Sequence, residues 1–538
     1  MYSVFKKLNL FFLLFVVLQC NLIEAQDSDF VTGKLINAVD KTPISFATIL
    51  IKNKGKGLIS NNDGGFKIPV RLQKSADTLV ISSIGFTSAE IPLSSLSKNT
   101  INTIVLKEKI EQLDEITVVA SKKKTRWDAK DIVQLALDNI PENYPFTPFS
   151  YVGYYRDYQI KGGDYLNLNE ALMQVFDSGF ATSDLKDTET RIYEYKKNIV
   201  FPRDSIAAKP YNDKNGSKLI SSAKISAPGG NEYTMLRLSD AIRNYNVDSY
   251  DFVKRLDLDF ANNHKFKLLP DTFIDNIPLY AIDISKWVLN TRISGKIFIS
   301  KGDFKIYKME YAVYNKRESG KSKKKQSDSN VSEKKRKDLG KLLYEIILEY
   351  QSYNGIMYPN YISFNNSFES LQPPKFFTSD AKINYSIDYI LTFNSLELTF
   401  NNAPLLKKAM KKRNYALLYK DKKVKIDSIE VKKNVVFLYL NKQVILDYKQ
   451  LQGSSQSVYD DIKIDIENLT DVNGNELHQR DYVSYNQYRE FFVQELQINA
   501  EKPMDSLFMI KNRPIFKNQA IAPFNKLSDY WMNTPLRD

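Results

Sequence analysis

The chain has 538 residues and a formal net charge of +13, and it contains two histidines and one cysteine. At about 150 residues per domain this length predicts several domains, and a hydrophobic content of 43% excludes a wholly disordered protein. The scarcity of histidine and cysteine excludes zinc sites and iron–sulfur clusters built on several thiolates. Aromatic residues make up 12% of the chain and favour β-structure, because they suit a pleated, half-buried surface.

The first 25 residues have the pattern of a signal peptide. Two lysines precede an apolar run from Leu8 to Leu18, which is shorter than the roughly 20 residues of a membrane-spanning helix. Cleavage after Ala25 would leave an exported chain without cysteine and therefore without disulfides or a catalytic thiol. Two alternatives stay open: an uncleaved N-terminal anchor, or a lipoprotein attached through Cys20, although Gln19 is larger than the residue that usually precedes a lipidated cysteine.

Residues 30–106 alternate short apolar runs with turn residues, which predicts an all-β sandwich. Four motifs follow in order: Gly33-Lys34-Leu35, Pro43 to Ile49, Ser60 to Phe66, and Asp77 to Phe86. They resemble the carboxypeptidase D regulatory-like domain, except that Leu35 stands where that family usually has Val or Ile. The resemblance implies a transthyretin-like sandwich over residues 26–112 that has no catalytic residues. Such modules often stand at the N-terminus of TonB-dependent receptors and other Gram-negative envelope proteins.

Residues 113–127 are predicted to link this sandwich to the rest of the chain. Leu113 to Ala120 is similar to the segment that precedes the plug domain in those receptors. The alternative is a further edge strand followed by a charged linker.

Residues 128–538 are predicted to form a β-rich α+β domain. Asp128 can cap a helix that runs to about Asn139, with Asp131 as the second carboxylate of a capping box. A strand rich in tyrosine follows, and its exposed tyrosines could stack on sugar rings, although half-buried strand positions are the more common role. A second helix is predicted at residues 485–496.

The clearest pattern is an antiparallel meander over about 278–400, with the turns marked by Gly302-Asp303 and Asn354-Gly355. Its predicted strands are 278–285, 292–300, 304–314, 342–352, 356–366 and 381–400. Further strands are predicted at 424–431 and 434–440. The order of the meander is similar to the curved sheets of periplasmic lipoprotein carriers, a likeness of pattern without diagnostic residues. The predicted fold class is therefore mainly β and multidomain, with an N-terminal β-sandwich, an antiparallel meander and a few helices.

Two segments carry most of the positive charge. Residues 316–341 hold 11 basic and 4 acidic side chains, and residues 407–425 hold 9 basic and 1 acidic. The first segment is rich in lysine and serine without apolar periodicity, which predicts a disordered basic loop between two strands. The second contains apolar residues among its lysines and is predicted to be partly helical or packed.

The centres of these segments supply the candidate binding residues, which are Lys323, Lys324, Lys325, Lys411, Lys412 and Arg413. Nucleic acid is a usual partner of such runs, but an exported protein rarely meets any, so no nucleic acid is expected. Outer-membrane lipid, a glycan or an acidic envelope protein fits better. The alternative is that both segments only keep the protein soluble.

Two other motifs fail the requirements of ligand binding. Gly320-Lys321-Ser322 lacks the preceding glycine of a phosphate-binding loop. Residues 471–476 carry Glu476 where an EF-hand loop needs glycine, and instead predict an Asn-Gly hairpin turn.

The support for candidate catalytic residues is equally weak. Asp460, Asp461 and Asp465 could supply a carboxylate pair, but their pattern is typical of outward side chains at the start of a strand. His264 and His478 have neither a serine elbow nor a second histidine nearby, and both are predicted to lie at the surface. No catalytic, cofactor or metal site is therefore expected.

The sequence predicts a non-enzymatic cell-envelope protein with a binding or scaffold role, in the periplasm or associated with the outer membrane. One alternative is an outer-membrane β-barrel or a transport component related to TonB-dependent receptors, although basic and helix-like stretches interrupt the strands that a barrel would repeat. A second alternative is a glycan or peptide hydrolase, which lacks a convincing acid–base pair.

Overall fold

The computed structural model describes residues 30–52, 54–73, 77–109, 127–209, 218–219, 228–246, 258–315, 340–387, 391–445 and 461–536. The predicted signal peptide, most of the predicted linker and the lysine-rich residues 316–339 lie outside these ranges. Chain contacts define two compact units. Unit 1 comprises the described parts of Met1–Gly216, Ile220–Phe368 and Tyr485–Asp538, and unit 2 those of Ser217–Leu219 and Glu369–Ser484.

The N-terminal sandwich has the strands that its motifs predict: β1 (Phe30–Asn37), β2 (Thr48–Ile51), β3 (Lys56–Ile59), β4 (Gly65–Pro69), β5 (Thr78–Ser82), β6 (Ala89–Pro92) and β7 (Asn102–Leu106), with the single turn α1 (Val70–Gln73) after β4. One layer has the order β4-β1-β7, in which β1 runs antiparallel to β4 and parallel to β7. The other layer has the order β3-β2-β5-β6.

Close packing explains the first motif of the sandwich. A Cβ atom on Gly33 would lie 2.1 Å from Cζ of Phe66, because the Phe66 ring covers the backbone of β1 at this point. Phe66 is fully buried in the core of the sandwich together with Leu35 and Ile68. Glycine at position 33 is therefore required by the contact between β1 and β4.

The next elements in the chain are the helices α2 (Ala129–Asp138), α3 (Ile140–Asn143), α4 (Asp184–Asp187), α5 (Glu232–Leu238) and α6 (Leu258–Asn263), and the strands β8 (Phe149–Lys161), β9 (Asp164–Asp177), β10 (Glu189–Lys197), β11 (Lys218–Leu219), β12 (Lys265–Leu268), β13 (Thr272–Ile274), β14 (Ile277–Val288), β15 (Thr291–Ser300), β16 (Ile306–Asn315), β17 (Lys341–Tyr353) and β18 (Ile356–Leu371). Strands β14 to β18 confirm the predicted meander, each antiparallel to the next.

Then follow β19 (Thr378–Ile387), β20 (Leu391–Phe400), α7 (Leu406–Ala409), β21 (Tyr415–Tyr419), β22 (Lys422–Val424), β23 (Ile426–Lys432), β24 (Val435–Ile445), β25 (Ile462–Ile466) and β26 (Tyr482–Leu496). Residues 381–400 thus form two antiparallel strands instead of the predicted one. In unit 2 the strands form two small sheets, in the orders β19-β20-β24-β23 and β22-β21-β25.

The predicted helix at residues 485–496 is wrong, because this segment is strand β26. It pairs antiparallel with β8 along most of its length, and it is a neighbour of β18 and β3 in the same sheet. Phe491 and Phe492 are both buried, in core clusters on opposite faces. Polar residues such as Gln487, Arg489 and Glu490 are buried on this strand beside the aromatic ones, so the sequence shows no alternation of apolar and polar residues that would mark a strand.

Helix α2 confirms the predicted capping box. The Asp128 side chain accepts from the Asp131 backbone N–H at 2.8 Å, and the Asp131 side chain accepts from the Asp128 N–H at 3.2 Å. Ile132, Val133 and Ala136 bury one face of the helix against the main core of unit 1. Among the described residues, no helix has the length and apolar character needed to cross a membrane.

A buried polar network lies at the centre of unit 1. Arg156 of β8 donates from Nε to Glu490 of β26 at 2.6 Å, and from Nη1 to the Asn61 side chain at 2.7 Å and the Asn533 carbonyl at 3.2 Å. The Tyr361 hydroxyl of β18 donates to the second oxygen of Glu490 at 2.7 Å. All five residues are buried. The network therefore joins the sandwich, three strands of the large sheet and the segment around residue 533.

Residues 530–536 extend this connection along the sandwich. The Trp531 indole donates to the Lys67 carbonyl at 2.8 Å, and the Lys67 N–H donates to the Asn533 side chain at 2.9 Å. On the other side, the Gln494 amide of β26 donates to the Trp531 carbonyl at 2.8 Å. The Trp531 ring belongs to the core of the sandwich, so this segment completes that core and ties it to β26.

Removing one partner of a buried ion pair leaves the other charge uncompensated, at a cost of about 3–5 kcal/mol. We expect Arg156→Met to lower the free energy of unfolding of unit 1 by about this amount, measured by urea denaturation, and the double variant R156M/E490M to recover most of the loss. Lys52→Met breaks the exposed Lys52–Glu90 pair and should change the same free energy by less than about 1 kcal/mol. Equal effects of R156M and K52M would show that the network does not stabilise the unit.

Candidate functional site

A cavity of about 350 Å³ lies between the sandwich and the meander within unit 1. The sandwich contributes the end of β5 and the outer positions of β2, and the meander contributes β13 to β18. The apolar part of the lining consists of Phe46, Leu50, Ile84, Ile274, Ile277 and Phe298. The volume of the cavity is within the range of small-molecule binding sites, about 300–1,000 Å³.

Contacts at two places hold the two walls of the cavity together. At one, the Asn360 amide of β18 donates to the Thr48 hydroxyl of β2 at 3.1 Å, and the Phe46 ring stacks on Tyr361 with centroids 5.0 Å apart. At the other, the Gly85 N–H donates to the Phe273 carbonyl at 2.9 Å. Both wall-to-wall contacts involve residues of the sandwich motifs, so the sandwich is an integral part of the cavity.

Gly85 is needed for the second contact. It has a φ of +84°, in the left-handed region that side chains with a Cβ rarely adopt. This conformation directs the chain after β5 towards β13. The glycine in the motif Asp77 to Phe86 therefore shapes the edge of the cavity.

A cluster of charged side chains lies on the meander wall. Lys308 of β16 and Glu349 of β17 are directly paired across the two strands, and the Lys308 ammonium lies 2.9 Å from Glu349 and 3.2 Å from Glu310. Only 14% of the Lys308 side chain and 12% of the Glu349 side chain are exposed. Asp275 also lines the cavity. Two carboxylates thus face the Lys308 ammonium, and the Asp275 carboxylate, which accepts from the Ser88 hydroxyl, adds a further negative charge to the lining.

The pKa values of the paired groups reflect burial and mutual attraction. Burial raises the pKa of Glu349, and Lys308 opposes this rise. Burial acts to lower the pKa of Lys308, but Glu349 and Glu310 more than offset it, so that pKa lies above its ordinary value and the ammonium stays charged. A positively charged group of a ligand could bind to these carboxylates beside Lys308, whereas an anionic group would be repelled by them.

The described binding residues predicted from the sequence do not line this cavity. Lys411, Lys412 and Arg413 are exposed in unit 2, in the short turn after α7. Lys323, Lys324 and Lys325 lie outside the described residues. The predicted partly helical or packed character of residues 407–425 is confirmed, since α7 and a 3-10 turn precede β21 and β22.

The charged residues of the cavity lie outside the long basic runs of the sequence, so those runs do not reveal them. The signal was the alternation in β16, where Lys308 and Glu310 share one face while Met309 and Tyr311 share the other and are buried in the core. Such a strand has apolar residues on one face and, on the other face, two oppositely charged residues that are two positions apart. This pattern indicates a pleated strand whose polar face carries an ion pair.

The structure describes two of the three aspartates that the sequence offers as a carboxylate pair. Asp461 pairs with Lys420 at 3.8 Å, Asp465 is exposed on β25, and Asp460 lies outside the described residues. Asp471 confirms the predicted turn, because its buried carboxylate accepts from the Asn473 and Asn475 N–H groups at 2.9 and 2.8 Å. Within the part of the chain that the structure describes, no three His, Cys, Asp or Glu side chains gather as a metal ion would require.

His478 is exposed as predicted, but the surface prediction for His264 is wrong. His264 is 7% exposed; its Nε2 lies 2.7 Å from the Tyr311 hydroxyl and its Nδ1 lies 3.0 Å from the Phe260 carbonyl. The turn that joins α6 to β12 carries the ring inward against the core. Burial lowers the pKa of His264 from 6.5 to about 4, so the ring is neutral near pH 7.

This pKa predicts a specific acid sensitivity. Between pH 6.5 and about 4 the unfolded chain binds a proton at His264 that the folded chain excludes, so stability falls as the pH falls. The expected loss from this group is about 2 kcal/mol between pH 7 and pH 5. In His264→Gln the pH-dependent difference in unfolding free energy, measured in urea at both pH values, should shrink by that amount. His478→Gln, which changes an exposed ring, is the matched control and should leave the pH dependence unaltered.

Comparisons with known proteins bear on the N-terminal part. Residues 31–118 match the family model of the CarboxypepD_reg-like domain. A solved structure of a LolA superfamily protein from Nitrosomonas europaea is 16% identical, with 45% of this chain and 86% of that chain covered and a TM-score of 0.19. No curated protein matches the sequence. The sandwich at the N-terminus of this chain is therefore a CarboxypepD_reg-like domain.

Proposed function

We propose that this chain is a non-enzymatic binding protein of the cell envelope, in which the CarboxypepD_reg-like sandwich forms one wall of a ligand cavity. The observation that carries the proposal is the cavity between β2, β5 and the meander, with Lys308, Glu310 and Glu349 on its inner surface. The ligand class is a small amphipathic molecule with a positively charged group.

The composition of the lining supports this ligand class. Phe298 and Ile274 offer apolar contact, while Glu349 and Asp275 offer carboxylates at the same surface. The ion pair of Lys308 with Glu349 keeps that carboxylate oriented without consuming every acceptor position, since each carboxylate oxygen can accept more than one hydrogen bond. The described cavity holds no nucleophile paired with a histidine, so binding accounts for its chemistry better than catalysis does.

The proposed compartment rests on the N-terminal pattern. An apolar run of signal-peptide length after two lysines favours export. The proposal places the protein in the periplasm or in association with the outer membrane, where CarboxypepD_reg-like domains accompany other envelope proteins.

Ligand binding can be tested with a matched pair of probes. We expect n-octylamine, which is protonated near pH 7, to bind the purified protein in calorimetric titration, and n-octanoate of the same chain length not to bind. Glu349→Gln should weaken the amine at least about tenfold, because one carboxylate is lost. Ile277→Trp, which places a bulkier side chain in the lining of the cavity, should weaken octylamine binding as well.

The control is Glu345→Gln, on the same strand as Glu349 but outside the cavity lining. It should leave the affinity for octylamine unchanged. Octanoate binding as tight as octylamine binding, or equal losses in E349Q and E345Q, would contradict the assignment of the ligand class to this cavity.

The proposed compartment can be tested by determining the N-terminal residue of the protein isolated from its native envelope. Cleavage after Ala25 should yield a first residue of Gln26 in N-terminal sequencing. A chain that begins at a lipid-modified Cys20 would indicate a lipoprotein, and a chain that retains Met1 in the soluble cytoplasmic fraction would contradict export.

A further inference from the structure

A projection of unit 2 carries exposed apolar and basic side chains together. We call residues 405–413 the basic knuckle; it consists of α7 and the start of the 3-10 turn Lys412–Asn414. Leu405, Leu406 and Met410 are 39%, 58% and 47% exposed. The exposed cations on the same projection are Lys407, Lys411, Lys412 and Arg413.

Hydrogen bonds and one buried side chain fix the backbone of the knuckle to the rest of unit 2. Ala409 is fully buried in the core of unit 2. The Tyr415 hydroxyl donates to the Ala409 carbonyl at 2.9 Å, and the Asn414 amide donates to the Lys408 carbonyl at 3.0 Å. The Leu405 N–H donates to the Thr470 carbonyl at 2.8 Å. Because these bonds satisfy the end of α7 internally, the exposed side chains project from a fixed backbone.

The positive charge of the knuckle is not neutralised nearby. No acidic residue occurs in residues 405–413, and within the described residues its cations form no ion pair. Elsewhere in unit 2 lysines do have partners: Lys463 lies 2.8 Å from Asp421, and Lys432 lies 2.8 Å from Glu430. The knuckle therefore concentrates unbalanced charge at one place on the surface.

Exposed apolar residues distinguish the knuckle from an ordinary solvated loop. Leu406 and Met410 are four residues apart and share one side of the turn, although a short helix in water normally turns such residues inward. Three of the four exposed cations are lysines, a residue type that is depleted at protein–protein interfaces. Lysine and arginine beside leucine and methionine instead suit a bilayer surface, where cations meet lipid phosphates and apolar side chains enter the headgroup boundary.

We propose that the basic knuckle docks unit 2 on the surface of an anionic phospholipid bilayer. Lys411, Lys412 and Arg413 contact the headgroup phosphates, and Leu406 and Met410 enter the boundary of the acyl chains. This docking is independent of the cavity in unit 1, and the two can be tested separately.

The test uses full-length mature protein and vesicles of phosphatidylethanolamine and phosphatidylglycerol in a roughly three-to-one molar ratio. We expect co-sedimentation with these vesicles at low salt and none with pure phosphatidylcholine vesicles. K411Q/K412Q/R413Q should weaken binding on the order of a hundredfold, since each basic residue near an anionic surface contributes about 1 kcal/mol. Leu406→Ser/Met410→Ser should weaken binding also at high salt, where the electrostatic contribution is screened.

Two matched controls make the outcome specific. K422Q/K423Q/K425Q removes the same charge from the same basic segment at exposed positions beyond the knuckle, and it should weaken binding far less. Ile445→Ser removes an apolar side chain that is 61% exposed elsewhere in unit 2 and should have no effect. Unchanged thermal melting of each variant establishes that it folds.

Three results would overturn the proposal. Equal losses in the two triple variants would mean that diffuse charge, and not the knuckle, attracts the vesicles. Absence of binding to anionic vesicles would remove the membrane as partner. Binding to lipopolysaccharide or to a polyglutamate peptide without binding to vesicles would assign the knuckle to a different partner. None of these results affects octylamine binding, so the cavity proposal stands or fails on its own measurement.

Discussion

The ion pair between Arg156 and Glu490 is the constraint on which unit 1 depends. Two ionised groups without solvent exposure need strong hydrogen-bond partners, and here three such partners come from parts of the chain remote in sequence. Asn61 comes from the sandwich, Tyr361 from β18 and Asn533 from the segment that completes the sandwich core. The pair therefore links the sandwich to the large sheet through buried hydrogen bonds.

Much of the fold could be predicted because local rules decided it. Gly33 and Gly85 stand where a ring or a left-handed turn excludes a side chain. Asp128 and Asp131 cap a helix through contacts within one turn. In β16, Met309 and Tyr311 lie against the main core while Lys308 and Glu310 do not, so the period of two is visible there. β26 has no such signal, because Phe491 and Phe492 are buried on opposite faces, and its long partner strand decides its conformation.

The cavity could not be predicted for a related reason. Lys308 and Glu349 are neighbours only because β16 and β17 pair in one register, and the lysine-rich residues 316–339 separate them in the sequence. A shift of the register by one residue would turn the carboxylate to the opposite face. His264 shows the same limit, since nothing in its flanking Asn residues reveals that a turn folds the ring onto Tyr311. By contrast, the exposure of Lys411, Lys412 and Arg413 follows directly from their composition.

The segment that completes the sandwich has a consequence for biosynthesis. The hydrogen bond from the Lys67 N–H to Asn533 joins residues 466 positions apart, and the buried Trp531 belongs to a core whose other members precede residue 110. The sandwich emerges from the ribosome early but lacks part of its own interior until residue 531 arrives. Its apolar edge must stay exposed during that interval, when a nascent chain is most prone to aggregate. Contacts of such long range also slow folding.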